Sequence, residues 1–230
     1  MPESKAQFKY YFDFLSQPSR ALYIILKQSG TPFEENQINL LEGGNQTIEF
    51  KNEVNRFQKV PAIVEGNFKL AESIAILRYF SNKNYIAEHF YPKDVQKRAR
   101  VDEFLQWQHN GIRTSCSLYF RFLWVQDKFF GAPAAPGKVA KYKSEMERDL
   151  GVIETVWLKD TKFINGNELT AADVFGACEV EQIRTTAYDV GEKFPKVAKW
   201  IETVRKELEP HFDFAHQTIY KYEKETKSKL

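Results

Sequence analysis

The segment Phe14-Leu15-Ser16-Gln17-Pro18-Ser19-Arg20 sets a hydroxyl at the point where a strand pattern gives way to a helix pattern. Pro18 fits the first turn of a helix, where a missing N–H has no partner to lose. Amide donors and the positive end of the helix dipole then point back at Ser16. No base accompanies this hydroxyl, since the nearest histidine along the chain is His89. The chemistry open to Ser16 is therefore donation to a bound anion, with a helix cap as the plainer alternative. A thiol shows what donation could achieve. Its pKa lies near about 8.5, and lowering it by two units takes roughly 2.7 kcal/mol. A hydrogen bond to a charged partner supplies roughly 1.5–3 kcal/mol. A helix terminus adds about 0.3–1 kcal/mol. Together these suffice without a metal or an ionisable base.

Two further segments can serve the same ligand. Val60-Pro61 opens a strand and is a candidate cis bond, which would turn the Val60 backbone outward toward an extended peptide. Glu72-Ser73 opens a helix. Ser73 could hold a carboxylate by the same helix-start logic, and Glu72 could face an ammonium group; an ordinary helix start is the alternative. Thr170-Ala171-Ala172-Asp173 is a structural motif, a capping box with Asp in place of Glu. Leu169 and Val174 flank it as a hydrophobic staple.

The elements that must position these residues follow from periodicity. Phe8, Tyr10, Phe12 and Phe14 alternate with Lys9, Tyr11 and Asp13, a half-buried strand. Leu22, Ile25 and Leu26 recur at helical spacing, with Gly30 as a stop. Glu34 to Leu40 reads as a strand, Gln46 to Asn55 as a polar helix, and 61–64 with 68–70 as a hairpin around Gly66-Asn67. Ser73 to Asn82 is a helix. The order β-α-β-α-β-β-α implies a small mixed sheet with packed helices. Residues 1–84 form this domain and 85–93 the linker. From 94 to 230 only helices are predicted: 94–130 as one long or two kinked helices, then 138–158, 170–184, 196–208 and 212–223. The aromatics around Phe120, Phe122, Trp124, Phe129 and Phe130, with Trp107 and Tyr119, serve either core packing or an apolar pocket.

Composition bounds the function. The 230 residues carry 43% hydrophobic and 28% charged side chains with a net charge of +2. That balance argues against a nucleic-acid partner. No apolar run approaches a membrane span, and no signal peptide is visible. Two cysteines, Cys116 and Cys178, make no disulfide framework, so a reducing, cytoplasmic setting is the simplest expectation.

The motifs Ser16-Gln17-Pro18-Ser19-Arg20, Lys59-Val60-Pro61-Ala62, Glu72-Ser73-Ile74-Ala75-Ile76-Leu77, Arg98-Ala99-Arg100-Val101-Asp102-Glu103 and Leu169 to Val174 together resemble the cytosolic glutathione S-transferases of the theta class. The likeness runs over nearly the whole chain in the right order. It implies an α/β thioredoxin-like N-terminal domain with a mixed four-stranded sheet, then an all-α helical bundle contributing the electrophile pocket. It implies glutathione as co-substrate, no cofactor or metal, small hydrophobic electrophiles (alkyl halides, epoxides), organic hydroperoxides for a peroxidase activity, and a homodimer. Ser16 falls on the catalytic serine. Lys59 and Val60 fall on the loop that holds the cysteinyl backbone, with Pro61 in cis. Glu72 and Ser73 fall on the γ-glutamyl site. Asn45 stands where a histidine often faces the glycyl end. Arg113, in His109-Asn110-Gly111-Ile112-Arg113, matches an arginine of the theta active site, and Asn110 is placed with it. Tyrosine-type members carry the hydroxyl on the first strand, where the register puts Phe12, with Tyr10 and Tyr11 beside it as the alternatives to Ser16. No C-x-x-C accompanies Ser16. A catalytically weak or structural member of the same fold is the alternative.

Overall fold

The computed structural model describes residues 6–229. It divides into two compact units between Tyr91 and Pro92.

In the first unit the strands are β1 (Lys9–Phe12), β2 (Glu34–Gln37), β3 (Ala62–Glu65) and β4 (Phe68–Ala71), and the helices are α1 (Gln17–Gln28), α2 (Ile48–Glu53) and α3 (Ser73–Asn82). The sheet order is β2-β1-β3-β4, with β1 parallel to β2 and antiparallel to β3, and β3 antiparallel to β4. This is the expected thioredoxin-like arrangement. The period of two along β1 assigns its faces. Phe8, Tyr10 and Phe12 are buried. Phe8 stacks 4.8 Å from Phe80 of α3, and Phe12 lies 5.2 Å from Tyr23 of α1. Tyr11 points the other way and meets Phe50 of α2 edge-on, in a cluster with Val54, Ala62 and Val60. Helices therefore cover both faces.

Two strands end earlier than their patterns suggest, for one reason. The Asp13 carboxylate accepts from the N–H groups of Leu15 and Leu40, at 2.6 and 2.8 Å. Both chains are drawn into turns there, which leaves Phe14 outside β1 and Leu40 outside β2. Gly66 takes φ +59° in the β3–β4 turn, a left-handed position that favours glycine.

The second unit is all helix: α4 (Val95–Asn110), α5 (Ile112–Phe120), α6 (Gln126–Phe130), α7 (Pro136–Val152), α8 (Ala171–Glu181), α9 (Pro195–Glu207) and α10 (His211–Lys227). The stretch 94–130 is broken at Gly111 and again by a π-helical turn at Arg121–Val125. A Cβ on Gly111 would lie 3.1 Å from the Trp107 carbonyl oxygen and 3.3 Å from its ring, so the break closes on a residue without a side chain. Helix α8 is buried along its whole length and packs on α4, α5 and α9. Its Gly176 admits Phe104 and Trp200 against the backbone. Tyr119, Phe120 and Trp124 are buried, whereas Phe130 is exposed. The X–Pro bonds at Val60-Pro61 and Glu209-Pro210 are cis; the second was not anticipated from sequence.

Candidate active site

Strand register assembles the site. Phe12, at the C-terminal end of β1, pairs with Gln37 at the C-terminal end of β2. Tyr11 pairs with Ala62 at the start of β3, and Ala62 pairs with Ala71 at the end of β4. The segments leaving these four ends carry Ser16, Asn45, Val60-Pro61 and Glu72-Ser73. All therefore emerge along one edge of one sheet, although they span nearly sixty residues of chain. Neighbouring strands lie about 4.8 Å apart, so the row of four ends extends over roughly 14 Å.

Ser16 is the N-cap residue of α1 by backbone conformation, with φ −87° and ψ 118°. Its hydroxyl caps nothing. Instead Ser16 Oγ accepts from Ser19 Oγ at 3.0 Å. The turn is held from both sides. Ser16 N–H donates to the Asp13 carbonyl, Asp13 binds Leu15 and Leu40 as above, and Arg20 Nη1 donates to the Phe14 carbonyl at 2.7 Å. Asp13 and Arg20 are buried, so the turn is fixed by side chains shielded from water. The hydroxyl of Tyr10 is engaged internally, donating to the Ser19 carbonyl at 2.8 Å, and Phe12 is buried. The half-buried Ser16 is thus the hydroxyl that this turn presents.

The loop before β3 is clasped by two side-chain amides. Asn45 Nδ2 donates to the Gln58 carbonyl and Asn55 Nδ2 to the Lys59 carbonyl, both at 2.7 Å. Asn55 Oδ1 accepts from Phe57 N–H at 3.0 Å. Gln58 sits at φ +53° between them, and Gln58 Nε2 returns a bond to the Asn45 carbonyl at 3.4 Å. Asn45 is therefore a clasp on the loop that carries Lys59 and Val60, a contact that its sequence position did not disclose. Lys59 is exposed, Val60 half-buried and Pro61 buried. At the fourth strand end, Glu72 is the N-cap of α3 with φ +68° and is exposed, and Ser73 is buried.

The remaining candidates lie in the helical unit. Asn110 is exposed at the end of α4. Arg113 Nη1 bonds Glu179 Oε1 of α8 at 3.0 Å, and the Glu179 side chain is almost wholly buried. Asp173 Oδ2 accepts from Thr170 N–H at 2.9 Å and from Thr170 Oγ1 at 3.2 Å, which is the acidic half of the capping box. Asp173 Oδ1 accepts from Ile164 N–H at 2.8 Å and Trp200 Nε1 at 2.9 Å. Burial pushes the Asp173 carboxyl up, and these four donors oppose that rise. The Cys116 thiol is raised well above its ordinary value by burial, then by Glu179 and Asp149, so it is no ready nucleophile. Among the described residues no three His, Cys, Asp or Glu side chains group to hold a metal ion, and no helix is long and apolar enough to cross a membrane.

Sequence reasoning named Ser19, Asp13, Arg20 and Asn55 within its segments but gave none of them a role at the site. Ser19 alone carried a signal, because three residues after Ser16 it lies on the same side of the helix start.

A four-stranded mixed sheet with a hydroxyl at its first helix start, followed by a helical bundle, defines a class. Two family models match the chain: the glutathione S-transferase N-terminal domain over residues 6–82 and the C-terminal domain over 126–207. A curated relative, glutathione S-transferase theta-3 of Mus musculus, is 39% identical over 92% of this chain and 88% of its own length. The structure of human glutathione S-transferase T1-1 in its apo form superposes with a TM-score of 0.90 at 35% identity, covering 94% of this chain and 91% of that one. Human glutathione transferase theta-2, solved in complex with glutathione and an unknown ligand, gives 0.89 at 32% identity, over 97% and 91%. The chain belongs to the glutathione S-transferase family, in its theta class, and is a transferase.

Proposed function

We propose that this chain joins the thiol of glutathione to small hydrophobic electrophiles, with alkyl halides and epoxides as the substrate class, and that Ser16 Oγ–H holds the sulfur as a thiolate. The observation that carries this reading is the single sheet edge where Ser16, Val60, Glu72 and Ser73 emerge, with Ser16 Oγ 3.0 Å from Ser19 Oγ, an arrangement that lets Ser19 donate to Ser16 while Ser16 donates to a ligand. Three extended residues reach about 10 Å, which fits within the row of strand ends. In this reading the Val60 backbone pairs with the cysteinyl residue, and Glu72 and Ser73 take the γ-glutamyl end. Lys59 and Asn45 lie toward the glycyl side. Arg113 and Asn110 enter through family likeness alone. So does the homodimer, which sedimentation would test.

The mechanism follows from differential stabilisation. The hydroxyl favours the ionised over the neutral thiol, and the backbone pairing holds the nucleophile in place. Ser16→Ala removes one charge-assisted bond of roughly 1.5–3 kcal/mol, so turnover should fall roughly ten- to 150-fold with the fold intact. The assay is conjugation across a panel of alkyl halides and epoxides, with hydroperoxides included for a peroxidase activity. Equal turnover by Ser16→Ala at neutral pH would refute the role of Ser16. Failure of the native chain to turn over any of the panel would refute the activity and favour a structural member of the fold.

A further inference from the structure

We infer that Ser19 is a positioning residue for the reaction, acting through Ser16; this rests on the reading of Ser16 given above. Ser19 is completely buried at the third helical position of α1. A hydroxyl at Ser16 would ordinarily accept from the backbone N–H at this position. Here the oxygen accepts from the Ser19 hydroxyl, at 3.0 Å.

The direction of that bond matters. A hydroxyl has one hydrogen and two acceptor sites. If Ser16 donates to a sulfur anion, its single hydrogen is committed there. The bond between the two serines must then run from Ser19 to Ser16. Ser19 thereby selects one rotor position of the Ser16 hydroxyl out of about three staggered wells. It also polarises the Ser16 O–H, because hydrogen bonds in series strengthen one another by perhaps 10–30% each. Tyr10 Oη donates to the Ser19 carbonyl at 2.8 Å, which anchors the residue from the strand side. The charged groups of the same turn are Asp13 and Arg20, and both bond to backbone within it. Neither takes the part of Ser19.

The test is a set of variants: Ser19→Ala, Ser19→Cys, Ser16→Ala and the double Ser16→Ala/Ser19→Ala. For each, the ionisation of bound glutathione is titrated by thiolate absorbance, and kcat and KM are measured across pH. Thermal melting serves as the control for folding. Ser19→Ala should raise the pKa of the bound thiol by roughly half a unit to one unit and cut kcat about three- to tenfold at neutral pH, with KM for glutathione little changed. Ser19→Cys fills the same space with a poorer donor and should fall between Ala and Ser. The double variant should match Ser16→Ala, since Ser19 has nothing left to act on. A thiol pKa and kcat unmoved in both Ser19 variants would overturn the inference, whatever the melting temperature does. So would a double variant clearly worse than Ser16→Ala. If Ser16→Ala itself leaves the titration unmoved, the Ser16 reading fails first, and that outcome is distinct from a loss confined to Ser19.

Discussion

Replacing Asp173 with alanine should destabilise the helical unit severely, and the structure allows the size to be worked out. The carboxylate serves three buried donors besides the Thr170 hydroxyl: Ile164 N–H, Thr170 N–H and Trp200 Nε1. All three residues are at most 5% exposed. An orphaned buried donor costs about 1–3 kcal/mol. A water entering the vacated space recovers part of that sum, so the net expectation is about 3–5 kcal/mol. Asp173→Asn should cost less, about 1.5–3 kcal/mol, because one amide oxygen still serves two of the donors while the amide nitrogen confronts the rest. The chain's four tryptophans, Trp107, Trp124, Trp157 and Trp200, all lie in this unit, so their fluorescence reports its unfolding alone. With a urea dependence of about 1.5–2 kcal/mol per molar, the Asp173→Ala midpoint should fall by roughly 1.5–3 M. A loss under about 1 kcal/mol, or Asn more damaging than Ala, would show that the carboxylate does not organise this corner.

Gly176→Ala should destabilise the same unit by about 1–3 kcal/mol in thermal melting. The new Cβ would lie 2.9 Å from Phe104 Cζ and 3.1 Å from Trp200 Cη2, and a melting point unchanged from the parent would contradict that packing. Asn55→Ala frees the Lys59 carbonyl and the Phe57 N–H. KM for glutathione should rise about three- to tenfold with kcat much less affected, and an unaltered KM would argue that the loop before β3 plays no part in binding.

Much of the fold was legible because its signals are local. The alternation along Phe8–Phe12 and the helical repeat from Leu22 to Leu26 each lie within one window of sequence, and each became β1 and α1. The Thr170–Asp173 spacing is equally local. What stayed hidden depends on partners far along the chain. Asp13 shortens both β1 and β2 through Leu40, and no window around residue 13 contains that partner. Arg113 is placed by family likeness to an active-site arginine, and nothing near it in sequence discloses that Glu179 engages it from another helix. Asn45 reads as a polar replacement in a loop, yet it clasps Gln58. For Ser16 the residue type left two uses open, cap or donor. The structure shows no cap bond from Ser16 and sets its oxygen 3.0 Å from the hydroxyl three positions on, a contact that the spacing permits and does not require.

Helix α1 starts without the acceptor such starts usually carry: no side chain caps it and no acidic residue occupies its first turn. Any anion seated there would add what the helix does without, so occupancy and local firmness should rise together. Under the proposed reading, the joint that receives the guest is also the joint that steadies the host.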